Sequence, residues 1–175
     1  MTDLSGLTGL TMVGGDAAAC EGDACLIPTR TFVPGYEFSA DPVRIDGARV
    51  HALLSEHAYW AAGRPRAVND AARAGSRPYG VFDLTTGEQV AYARVVTDGA
   101  TFGWLADVVV EPAHRRRGIG HAFVDAILAD LAPLDLKRIV LKASDDAADL
   151  YPQHGWTSLE DTDRWMERRG TTVSR

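Results

Sequence analysis

The chain is read as an α/β (α+β) protein: a mixed, mostly antiparallel sheet flanked by helices. Three observations predict this. Apolar, period-two runs joined by tight turns succeed one another from Tyr79 to Val110, as a β-meander does. The last of them runs straight into an Arg- and Gly-rich bend at Arg115–Gly120, and a helical period starts at once. A short apolar run, Ile139–Leu141, follows that helix. A strand, a helix and another strand make the crossover that a parallel pair requires.

Taken in order, Tyr36–Ala40 alternates and predicts a first strand. Asp46 is a helix N-cap candidate, and Val50, Leu53, Leu54, His57 and Ala58 recur at helical spacing until Gly63. A second short helix is expected over Ala67–Ala74, closed by Gly75. Strands at Tyr79–Leu84 and Val90–Thr97 are joined by Thr85-Thr86-Gly87-Glu88, and Asp98-Gly99 leads into a third strand, Thr101–Val110. The helix after the bend, Gly118 to about Ala132, buries Phe123, Ile127, Leu128 and Leu131 and stops before Pro133. Thr157–Arg169 is expected to supply one or two final strands.

With 175 residues, 46% hydrophobic and 24% charged, one domain with a sizeable core is expected. Residues 1–34 differ: they are rich in glycine and small residues, show no period, and are read as an extension outside a domain spanning 35–175. Within them, Leu7–Val13 could form a short strand. Cys20 and Cys25 are half a zinc site at best, so no metal is expected. A net charge of −6 argues against a nucleic-acid partner. The C-terminal arginines 164, 168, 169 and 175 read as solvated surface. No apolar run approaches a membrane span and no basic-then-apolar leader opens the chain, so a cytoplasmic protein with no membrane partner is expected.

The chemistry concentrates at Val108-Val-Val-Glu-Pro-Ala-His-Arg-Arg-Arg-Gly-Ile-Gly-His121. N–H groups at a helix start lack intrahelical acceptors, and the macrodipole adds partial positive charge there, which suits a diphosphate. Gly118 and Gly120 keep side chains away from it, while Arg115, Arg116 and Arg117 supply charge. A P-loop is excluded because no Gly-Lys-Ser/Thr follows. A Rossmann turn is excluded because position 123 is Phe.

Arg-x-x-Gly-x-Gly at 115–120 resembles the coenzyme A pyrophosphate signature of the GCN5-related N-acetyltransferases (GNAT). Ile139–Leu141, Ser144–Tyr151 and His154-Gly155-Trp156 resemble the second half of that family. His57–Pro65, Ala93–Asp98 and Leu105–Val108 look like a bacterial subgroup without an assigned substrate. The resemblance covers about Tyr36 to Arg169. It implies a GNAT fold whose strands four and five are parallel and splay apart, with acetyl-CoA (coenzyme A) entering the gap. It implies direct acetyl transfer to a primary amine of a small molecule or peptide, with a silent acyl-CoA sensor as the alternative. Cofactor contacts would come from Val108, Val109, Val110, Arg115, Arg116, Arg117, Gly118, Ile119, Gly120 and His121. Ser144 stands where the family often has an asparagine on the pantetheine arm. Tyr151 takes the family's tyrosine position and, protonated at neutral pH, could protonate the leaving thiolate.

For the acceptor side, Asp107 is unexpected inside an apolar strand unless it is paired or functional. It is a candidate proton acceptor, with an ion pair to Arg94 as the structural alternative. Alternation along the strand would point it away from the face of Val108. The first two helices wall the acceptor site in this fold, which makes His57, Tyr59, Trp60 and Arg64 candidates alongside Arg94 and Asp98. Arg64 and Asp107 together would suit a zwitterionic amine. The family forms monomers and homodimers, and a Thr157–Met166 strand could pair across a two-fold.

Overall fold

A computed structural model describes residues 32–170; Leu7–Val13, Cys20 and Cys25 lie outside them. The elements are β1 (Tyr36–Ser39), α1 (Gly47–His57), α2 (Arg66–Ala74), β2 (Arg77–Asp83), β3 (Gln89–Thr97), β4 (Phe102–Val110), α3 (Ile119–Leu131) and β5 (Arg138–Leu141). Their order and type match the sequence reading up to β5, with ends shifted by one or two residues except at the end of α1.

The strands form one sheet in the order β1-β2-β3-β4-β5. The first three pairings are antiparallel, and β4–β5 is parallel, from Phe102↔Arg138 to Leu105↔Leu141. Strand alternation sorts the core onto two faces. One face carries Tyr79, Val81, Ala91, Ala93, Val95 and Leu105, on which α3 lays Ile119, Phe123, Val124, Ile127 and Leu131. Each large side chain buried this way contributes about 1.5–3 kcal/mol. Phe38 joins this core, stacked on Tyr79 and edge-on to Phe123, and Phe32 packs on Phe38 in turn. The other face presents Phe82, Tyr92 and Val109 to Val50, Leu53 and Leu54 of α1.

Three details depart from the sequence reading. First, α1 does not reach Gly63. Its start is capped as expected, with the Asp46 carboxylate accepting from Ala48 N–H at 2.7 Å. It ends at Ala58, which is extended (φ −125°). Ala58 and Ala61 are small enough to be buried against the sheet, and the tight turn Tyr59–Ala61 between them leaves Tyr59 and Trp60 standing outward.

Second, β4 carries a bulge. Tyr92 pairs with Val109 but Arg94 pairs with Ala106, so β4 holds one residue more than β3 across this interval. Asp107 takes the strained left-handed φ of +53° there. Leu105 lies on the α3 face, and simple alternation would put Asp107 there too. The extra residue turns it to the α1 face instead, beside Arg94.

Third, Thr157–Arg169 forms no strand. It is irregular, with one 3-10 turn at Thr162–Arg164. Five consecutive polar residues, Glu160–Arg164, separate Leu159 from Trp165, so no period-two face exists. The expected strand pairing across a two-fold through Thr157–Met166 is withdrawn with it.

Candidate active site

Two strands shape the cleft, and one of them runs on into a bend. β4 and β5 stay paired only as far as Leu105↔Leu141, and β4 continues alone through Val110. The opening is a cavity of about 330 Å³ lined by Leu105–Val108 on one side and Leu141–Ser144 on the other. The Glu111 N–H bonds Val90 O on the β3 side at 2.9 Å. Alternation along the strand therefore turns the N–H groups of Val110 and Val108 toward the gap.

Where β4 leaves the sheet, a 3-10 turn (Pro112–His114) leads into the glycine bend. Arg116 and Gly118 are both left-handed, φ +59° and +79°. Gly118 is the N-cap of α3 and brings no side chain to cover the helix start. The N–H groups of Gly118, Ile119, Gly120 and His121 have no acceptor among the described residues. A Cβ placed on Gly118 would meet nothing within 4 Å, and one on Gly120 only Leu150 at an ordinary van der Waals distance of 3.8 Å, so no side chain crowds the bend at either glycine. This is an anion cradle of the kind a diphosphate fills. The arginines divide the work. Arg115 Nε donates to Val110 O (2.8 Å), and Arg117 donates to the Tyr36 hydroxyl (2.8 Å) and Ala113 O (3.1 Å). These two brace the bend, while exposed Arg116 makes no such bond among the described residues.

Deeper in the cleft, the Asp107 carboxylate is buried, its side chain 5% exposed. Oδ2 accepts from Arg94 Nε at 2.7 Å and Arg64 Nη1 at 3.0 Å, and Oδ1 from Trp60 Nε1 at 3.2 Å. Burial alone would raise its pKa, but the hydrogen bonds and charges of Arg64 and Arg94 outweigh that and hold the carboxyl below its ordinary value. The network continues outward. Arg64 also reaches buried Asn69 Oδ1 (3.3 Å), whose amide donates to His51 Nδ1 (2.8 Å).

Tyr151 closes the cleft beyond β5. It is 7% exposed, packed edge-on against Trp156, and it lines the cavity. Its hydroxyl has no partner among the described residues. Desolvation, with the negative charge of Asp146, pushes its pKa up. Ser144 lines the same cavity, and its hydroxyl donates to Asp146 at 2.6 Å.

A strand fork, an amide cradle below it and a buried tyrosine opposite are what a long phosphorylated thioester would thread. The family model described as Acetyltransferase (GNAT) family matches residues 48–156. The chain belongs to the GNAT acetyltransferase family. A GNAT-family protein from Xanthomonas campestris pv. campestris superposes with TM-score 0.72 at 38% identity, over 79% of this chain and 95% of that one. A Gibberella zeae relative assigned to the acetyltransferases is 30% identical over 128 residues, 63% of this chain and 72% of its own length. A Clostridium acetobutylicum protein solved with acetyl-CoA shares the fold at TM-score 0.56 and 18% identity, over 77% of this chain and 94% of that one.

Family membership implies an acetyltransferase-type enzyme that takes the acetyl group from acetyl-CoA and passes it to an amine of some kind. The bend fits such a donor: free amides, a glycine with open space above it, and a strand fork deep enough for an acyl arm. Among the described residues, no helix of this GNAT domain is long and apolar enough to cross a membrane.

The fold brings Tyr59, Trp60, Arg64, Arg94, Asp107, Val108, Ser144 and Tyr151 to one cavity. It does not bring Asp98 there. That carboxylate accepts from the N–H groups of Ala100, Thr101 and Phe102 and from the Thr101 hydroxyl, which holds it well below the usual carboxylate range. It shapes the β3–β4 turn. His57 lies 3.7 Å from Glu56 and is absent from the cavity wall. Asn69, Lys142 and Trp104 reach the site without having been singled out in the sequence. Asn69, 2% exposed and the one buried residue of α2, could be found only through its partners, and Lys142 only by knowing where β5 ends.

Proposed function

We propose that this protein is an N-acetyltransferase moving an acetyl group from acetyl-CoA to a primary amine of a small molecule or peptide by direct attack. The observation that carries this is the conjunction of the β4–β5 fork, whose cavity Tyr151 lines, with the free-amide bend into which β4 runs. The bound donor supplies an activated thioester; the chain supplies position, polarisation and a proton.

The amides of the bend and Arg116 hold the nucleotide end, with Val108 and Val110 N–H groups aimed at the acyl arm and Ser144 facing it. The N–H nearest the thioester carbonyl stabilises charge on its oxygen as the amine attacks, the role of a preorganised donor. Holding donor and acceptor in line supplies much of the rate. Tyr151, kept protonated by burial, donates its phenolic proton to the departing thiolate.

Asp107 acts here as a positioning residue. A carboxylate bound by two guanidiniums and an indole is a poor proton acceptor, so the amine's proton leaves through water. The task of Asp107 is to fix Arg64, Arg94 and Trp60 around the acceptor. The test is release of free thiol from acetyl-CoA with a panel of primary amines, followed by mass detection of the acetylated product. Binding of acetyl-CoA with no acetylated amine would overturn the reading in favour of a silent sensor.

A further inference from the structure

We propose that the acceptor carries a carboxylate beside its amine and an apolar body, as an apolar α-amino acid does, and that Arg64 and Arg94 read the carboxylate. This deepens the acetyltransferase reading and rests on it.

The charges in the cavity support it. Its charged wall consists of three cations, Arg64, Arg94 and Lys142, against the single carboxylate of Asp107. A chain of net charge −6 thus keeps a cationic acceptor site. Asp107 is a poor anchor for the acceptor's ammonium, because three of its roughly four acceptor sites are filled by Trp60, Arg64 and Arg94 and its charge is already balanced by two guanidiniums. The guanidiniums, by contrast, are only partly used. Arg94 gives Nε to Asp107, and its two Nη groups have no acceptor among the described residues. Arg64 gives only Nη1, shared between Asn69 and Asp107. Both side chains retain access to the cavity, at 17% and 23% exposure. Two guanidiniums, pinned by one buried carboxylate and with donors left over, suit a planar oxyanion.

The rest of the wall indicates the body of the acceptor. Trp60 and Trp104 line the cavity at 39% and 38% exposure, and Tyr59 stands edge-on to Trp60 at 5.1 Å. An apolar group lying against these rings would bury aromatic surface now open to water. At about 330 Å³, a volume that must also admit the acyl end, the cavity favours a small acceptor.

The experiment uses the full chain with acetyl-CoA and matched amines: phenylalanine, phenylalaninamide and phenethylamine, then leucine and leucinamide. Rates are compared per concentration of free base. The expected result is a kcat/KM at least roughly tenfold higher for each carboxylate-bearing member, about 1.4 kcal/mol, carried mainly by KM. In Arg94→Gln and, separately, Arg64→Gln, the ratio of carboxylate to amide should fall toward one. Equal or higher kcat/KM for the neutral amides in the wild type overturns the inference and leaves the acetyltransferase reading standing. Acetylation of none of the amines, with acetyl-CoA bound, overturns both.

Discussion

Tyr151 and Asp107 are the two ionisable side chains most deeply set in the cleft, and their surroundings drive them in opposite directions. Tyr151 sits among Trp156, Leu150 and the β5 wall, where its anion is disfavoured, so it stays a proton donor through the neutral range. Replacing it with phenylalanine removes the proton and little packing. We predict a fall in kcat of about 10²-fold, the usual size of a lost general acid, with acetyl-CoA affinity by calorimetry changed less than about threefold. Equal loss of both would make the tyrosine structural. A wild-type kcat that showed its alkaline limb well below pH 10 would also contradict the raised phenol. Asp107 was legible as an anomaly because a carboxylate in Leu-Ala-Asp-Val-Val-Val needs a partner, and its pairing with Arg94 was one reading the residues allowed. That it points away from the face of Val108 followed from alternation, but which face of the sheet it meets was not legible, because that depends on a bulge that no local pattern marks. In Asp107→Asn the two guanidiniums lose their anion, and breaking such a buried pair costs about 3 kcal/mol. The pH sign follows from the lowered pKa. The carboxylate's contribution is fully present above the unfolded value near ~3.9 and is lost as pH falls through the folded one. The gap in Tm between wild type and Asp107→Asn should therefore hold constant from pH 5 upward and narrow below about pH 4.

At the scale of elements, the strands of the meander, α3 and the glycine bend could all be read from the sequence because each satisfies a local rule: alternation, a helical stripe, or an amide-rich helix start. The end of α1 could not, since Ala58 departs from the helix to let two small residues settle on the sheet, which is a tertiary demand. The strand expected after Trp156 fails for a local reason: the apolar residues there are isolated and form no continuous face. The bend itself makes a sharp prediction, because its two glycines do different things. Gly118 needs its left-handed φ of +79°, and a β-branched residue there is strained whatever the space. Gly120 has helical geometry and its Cβ would make only an ordinary contact with Leu150, so a side chain there is tolerated by the fold but would stand in the proposed place of the diphosphate. Gly118→Val should therefore lower Tm and weaken acetyl-CoA binding together. Gly120→Asp should leave Tm without ligand within a degree or two and abolish measurable acetyl-CoA binding, because it adds a negative charge where the anion sits. If Gly120→Asp retained binding, the diphosphate would not lie on these amides.

Across the whole molecule, the proposed donor site couples the two faces of the sheet. The bend starts α3, whose apolar stripe fills one core, while β4 carries Val109 into the other. A ligand spanning the fork therefore braces β4, β5 and α3 at once and binds only the folded state. Mass action then sets the size of the effect. At a hundredfold excess over its Kd, acetyl-CoA adds about 2.7 kcal/mol to the free energy of unfolding. For a folded unit of this length that corresponds to a rise in Tm of roughly 5–10 °C. The cradle also receives charge from Arg116 and the α3 amides on a chain of net −6, so the attraction is local and sensitive to salt. We predict that the Tm rise with acetyl-CoA shrinks as sodium chloride goes from 0.05 to 0.5 M, roughly a threefold fall in Debye length. The Tm of the unliganded protein should move far less over the same range. Desulfo-coenzyme A should keep most of the shift, and pantetheine, which has no diphosphate, should produce little. A shift as large with pantetheine as with acetyl-CoA would place the binding energy in the arm and remove the amide cradle from its central part.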